Sequence, residues 1–171
     1  MDGFDEEYER EMAEAQRRAR AQGRGDVLDY LALKSANDSL RARGVELLLA
    51  AFTALAGELN RGGAGVALAR TDPHRFRVGH STMVGPRLTF SRGLRSLTVE
   101  AGWPRSPRDG VVRGGGLASA RVSHFGNSKA GEDLLLLPAG DGPRWFVVAD
   151  TGARTELHEA HLRRHVVRLL E

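Results

Sequence analysis

The sequence predicts an α+β domain: N-terminal helices, one of them long and buried on two faces, packed on a curved antiparallel sheet of six to seven strands and closed by a C-terminal helix. Three observations lead there. Apolar residues recur at helical spacing through the first sixty positions. After Gly63 the period changes to alternation, the mark of half-buried strands. The alternating segments are short and separated by Gly- and Pro-rich turns with no helical stretch between them, which favours antiparallel over parallel pairing.

Phe4 to Ala21 is rich in strong helix formers, and Phe4, Tyr8, Met12, Ala15 and Ala19 form one narrow apolar stripe. Glu6, Glu7 and Glu9 lie early and Arg17, Arg18 and Arg20 late, which complements the helix dipole. Gly23 and Gly25 end this helix, so residues 1–25 read as a helical arm and 26–171 as the domain proper. Asp26 is placed to cap a second helix through Tyr30 and Leu33, and a third is predicted from Ser39 to Asn60, stopped by Gly62-Gly63. In the third, Val45, Leu48, Leu49, Phe52, Leu55, Ala56 and Leu59 line a broad face, with Leu47, Ala51 and Ala54 almost opposite. A helix apolar on two sides is expected between the sheet and either other helices or a second subunit.

Strands are predicted at 74–78, 87–90 and 96–100, with Phe76, Val78, Leu88, Phe90, Leu97 and Val99 inward. Further strands are expected at 117–125, 133–137 and 145–149, and one more at 66–70. The closing helix is predicted from Glu156 to Leu170, with Leu162, Val166, Leu169 and Leu170 on its core face.

Composition narrows the chemistry. The 171 residues include no cysteine, which excludes disulfides, thiolate metal sites and cysteine nucleophiles. No apolar run approaches the roughly 20 residues a membrane span requires, and the first thirty lack a secretory apolar core, so a cytoplasmic protein is expected. Charge is segregated: residues 61–130 carry 12 basic and 3 acidic side chains, whereas residues 1–60 carry 8 and 12. All but Lys129 of those 12 cations are arginine, the side chain whose planar fork grips phosphate or carboxylate.

Three constellations are candidates for function. His158, His161 and His165 fall at i, i+3 and i+7, and the last two have the spacing by which two imidazoles hold one metal ion; the segment is not HExxH, and a ligand from elsewhere would be needed. Arg75, Arg77 and Arg87 on the strands, with Arg92, Arg95, Arg105, Arg108 and Arg113 in turns and loops, would form an anion- or partner-binding surface suited to nucleic acid, an acidic protein or an anionic lipid headgroup. The glycine-rich stretch 114–131 lacks the phosphate-loop order and reads as a turn between strands, and Ser81 lacks the GxSxG elbow, which leaves a hydrolase triad with His80 or His124 without support. His124 alternates with Ala120 and Val122, as a hydrogen-bonded core histidine does, and Trp103 reads as a lid on the core.

No coherent catalytic set emerges, and no cofactor is expected. The sequence therefore points to a non-catalytic binding or assembly module that meets itself or another protein through the N-terminal helices. Nucleic-acid binding through the arginines is the second reading, and a ligand- or metal-binding protein or enzyme using a cavity between sheet and helix is the third.

Overall fold

The structure is a computed structural model that describes residues 3–171, with side chains from residue 6 onward, so the predicted contribution of Phe4 lies outside the described side chains. Helix α1 is Gly3–Ala21 and α2 is Gly25–Arg61. Seven strands follow: β1 (Ala67–Val78), β2 (Ser81–Arg92), β3 (Arg95–Gly102), β4 (Ala118–His124), β5 (Asn127–Leu137), β6 (Arg144–Val148) and β7 (Arg154–Glu156). Helix α3 (Glu159–Val167) and a 3₁₀ turn (Arg168–Leu170) close the chain. The strands pair in sequence order, each antiparallel to the next, as an open sheet. No described helix is long and apolar enough to cross a membrane.

The predicted second and third helices are one. Between Asp26 and Arg43 there is neither glycine nor proline, and three weak helix formers, Asn37, Asp38 and Ser39, do not break a helix that tertiary packing favours. By its internal contacts the chain forms two compact units, one through Leu40 and the other Arg41–Glu171. In the first, the Tyr8 hydroxyl is hydrogen-bonded to the Asp38 carboxylate and the Lys34 ammonium sits 5.2 Å from the Tyr8 ring centre. Ala19 and Leu31 are buried, while Tyr30 and Leu33 are exposed.

In the second unit, Val45, Leu48, Leu49, Phe52, Leu55 and Ala56 of α2 are all buried, with Phe90 of β2 tilted against Phe52 at 6.3 Å between ring centres. Leu88, Leu97, Val99, Ala101, Ala118, Ala120, Val122, Leu134 and Leu136 complete this core. Asn60 clamps the exit from α2, its amide donating to the Val66 carbonyl at 2.9 Å and accepting from the Val66 N–H at 2.7 Å. The face predicted to be covered on the other side of α2 is open within the unit: Leu47 is 57% exposed and Ala54 is exposed beside it.

Two strand expectations change. The segments at 66–70 and 74–78 are one strand, with a register shift between Thr71 and His74. Pro86, which has no N–H to give a neighbour, lies opposite this irregularity. The extra residue reverses the alternation, so His74 rather than Arg75 comes to the face of Glu100, to which it is hydrogen-bonded at 2.7 Å, and Phe76 follows His74 instead of Leu88 and Phe90. At the other end, Arg154–Glu156 is a strand, so α3 begins three residues later than predicted; Glu156 opposes Phe146 and accepts a hydrogen bond from Arg144.

Candidate functional site

The inward alternation of β4 carries Ala120, Val122 and then His124 towards α3, where His165 lies between the buried Leu162, Val166 and Leu169. His124 Nε2 and His165 Nδ1 are 2.9 Å apart, and His165 Nε2 is 2.8 Å from Oε2 of Glu132 on β5. A carboxylate only accepts, so His165 Nε2 carries a proton and donates it to Glu132. The two rings stack with centres 5.2 Å apart. Burial, then the neighbouring His165 and Arg168, push the His124 pKa down to about 4, so this imidazole is neutral at pH 7. Arg164 stands 3.8 Å from the other oxygen of Glu132.

His124 and Glu132 border an open cleft of about 970 Å³ along the β4–β5 hairpin and β6, with Ser123, Asn127, Ser128 and Asp150 among its walls. The arrangement is a hydrogen-bonded chain between two sheet strands and a helix. A base of pKa near 4 is weak at neutral pH, and among the described residues neither serine of the cleft is hydrogen-bonded to His124. These contacts hold α3 on the sheet. The sequence predicts His124 as a hydrogen-bonded core residue; it is half-buried, and its partner His165 lies 41 positions away with no periodicity to connect the two.

The three histidines of the HEAHLRRH segment part company. His158 and His161 form a reciprocal cap at the start of α3, the His158 N–H donating to His161 Nδ1 at 3.2 Å, whereas His165 turns inward to Glu132 and His124. Among the described residues no group of three or more His, Asp or Glu is arranged to hold a metal ion.

The eight arginines do not form one array. Arg75 is paired with Asp109 at 2.8 Å, and Arg105 lies 3.7 Å over the ring centre of the buried Trp103 while bonding the Val84 carbonyl. Arg77 donates to the His80 carbonyl and Arg113 packs its guanidinium on the Gly79 turn. Arg87 is half-buried opposite Glu100, its Nε buried without a hydrogen-bond partner. Arg92 donates to the carbonyls of Ala64 and Leu169, and Arg95 and Arg108 are exposed. Trp103 is buried, with Arg105 over its ring.

A second concavity, about 480 Å³, lies between α2, β6 and α3. Gly44, Leu47, Ala51 and Ala54 form one wall, Trp145 and Leu157 another, and Glu58, Glu156 and Glu159 lie at its rim. Its apolar wall is the open face of α2. Compared with protein-family models, with curated proteins and with solved structures, the chain matches none.

Proposed function

We propose that the chain is a non-catalytic, cytoplasmic assembly module that pairs with a second copy of itself through the open face of α2. The observation that carries this reading is Leu47, a large apolar side chain 57% exposed beside the buried Val45, Leu48 and Leu49 of the same helix. Leu47, Ala51, Ala54 and Glu58 follow one another at steps of four, three and four, the spacing of a helix–helix seam. The small residues let a second helix approach closely, and the helix that carries a matching seam is α2 of another copy. An antiparallel pairing centred on Ala51 sets the Arg43 end of one helix against the Glu58 end of the other, opposite charges at both ends of an isologous contact. The internal employment of Arg75, Arg92 and Arg105 favours this reading over one in which the arginines grip nucleic acid.

Light scattering on the full chain tests it. The parent is expected at twice the chain mass of 18.6 kDa and L47E at the chain mass, both with the same circular dichroism. Leu47 is exposed in the single chain, so the substitution leaves the fold intact. A parent that stays monomeric at high micromolar concentration, or an L47E dimer as tight as the parent's, overturns the proposal.

A further inference from the structure

At one end of the sheet two neighbouring hairpin tips each hold an apolar side chain out in solvent. The β2–β3 turn is Gly93-Leu94, closed by Arg92 opposite Arg95, and Leu94 is 97% exposed. The β4–β5 turn is Phe125-Gly126, closed by His124 opposite Asn127, and Phe125 is 82% exposed. Positive φ at Gly93 (60°) and Gly126 (74°) keeps each turn at two residues, with the apolar side chain at its apex. The two tips are adjacent, because the Phe125 N–H donates to the Ser96 carbonyl at 3.0 Å.

Cations surround them. Arg92 and Arg95 flank Leu94, and Lys129 follows Phe125 in the same hairpin. Arg92 reaches the Leu169 carbonyl, which brings the Arg168–Leu170 turn alongside. None of Arg92, Arg95, Lys129 and Arg168 has a carboxylate within ion-pair distance among the described residues. Of the acids at this end, Glu132 is committed to His165, leaving Glu171.

Apolar prongs on convex tips, ringed by unpaired cations, match one kind of partner better than others. A protein would need two pockets set to receive the prongs. Nucleic acid could stack on Phe125 but has no use for Leu94. A bilayer moulds itself around any protrusion, takes apolar side chains at the acyl boundary and offers anionic headgroups to the arginines above it. We propose that this end of the molecule binds reversibly to anionic lipid surfaces, with Leu94 and Phe125 entering the interface and Arg95, Lys129 and Arg168 meeting the headgroups.

Sedimentation of the full chain with vesicles tests this. Vesicles of phosphatidylcholine containing about one-third phosphatidylserine should carry the protein down at low salt, and phosphatidylcholine alone should carry much less. Raising salt to about 0.5 M should release it, since screening then acts over only a few ångströms. L94S/F125S and, separately, R95E should each weaken binding by at least about tenfold while leaving the circular dichroism unchanged, because all three side chains are exposed. The L47E variant should still bind, which separates this surface from the helix pairing. Protein that stays in solution with the mixed vesicles overturns the proposal. So does an L94S/F125S variant that sediments like the parent, or binding to nucleic acid that R95E weakens and L94S leaves intact.

Discussion

The indole Nε1 of Trp145 on β6 donates a 2.8 Å hydrogen bond to the Gly44 carbonyl on α2, and both groups are buried. The helix and the sheet approach so closely here because residue 44 has no side chain. A Cβ at Gly44 would stand 2.5 Å from a methyl carbon of Leu136, itself fully buried.

Gly44→Ala therefore sets two effects against each other. Alanine favours a helix interior over glycine by about 1 kcal/mol. Overpacking a buried contact costs about 1–3 kcal/mol, and Leu136 is fully buried. Overpacking wins, and the variant should be less stable by roughly 1 kcal/mol, measured by denaturant midpoint. An equally stable variant would mean that the helix lies further from the sheet. Trp145→Phe should also destabilise, by about 1 kcal/mol, through loss of the hydrogen bond.

Stability should fall on acidification from near pH 6.5 towards pH 4. His124 binds its proton at about pH 4 in the folded chain, against an ordinary value of 6.5, so below 6.5 the unfolded state takes up a proton that the folded state refuses. The contribution is whole above pH 6.5 and lost progressively as pH drops to 4. For a half-exposed ring the loss is on the order of 1 kcal/mol after allowance for solvent screening. Thermal midpoints measured across this range should show a shallower decline in His124→Gln than in the parent.

Asp109 is nearly buried, and its carboxylate holds the Arg75 guanidinium at 2.8 Å and the Arg105 backbone N–H at 3.1 Å. This one side chain ties the long β3–β4 connection to β1. Asp109→Ala should free that connection at a cost of about 1–3 kcal/mol. Trypsin should then cut at Arg108 and Arg113 faster than in the parent. Unchanged cleavage would show that the loop is held by other contacts.

Asn60→Ala removes both bonds to Val66 and leaves the helix–strand junction without its clamp. A loss of about 1–2 kcal/mol is expected from two hydrogen bonds at a partly buried site. Asn60→Asp keeps the acceptor but not the donor, and should fall between parent and Ala in a denaturant titration.

Much of the fold was legible because periodicity is a local property. Leu88, Phe90, Leu97 and Val99 alternate, and all four are buried. The alternation of 74–78 was also visible, but its phase was not, because a register shift near Asp72 and Pro73 moves every later side chain of β1 to the other face. The continuity of α2 was hidden for the opposite reason. Asn37, Asp38 and Ser39 look like a boundary in isolation, and a helix of 37 residues carries them through.

The amino-acid order alone determined the class of the fold, the positions of most strands, the absence of thiol chemistry and the two-sided apolarity of α2, because each depends on composition or on spacing within a few residues. Tertiary structure alone decided that His165 meets His124 and Glu132 rather than His158 and His161, that the arginines disperse among separate partners, and that Leu94 and Phe125 stand on adjacent tips. Those outcomes depend on which strands lie side by side, and strand pairing joins residues whose separation along the chain carries no signal.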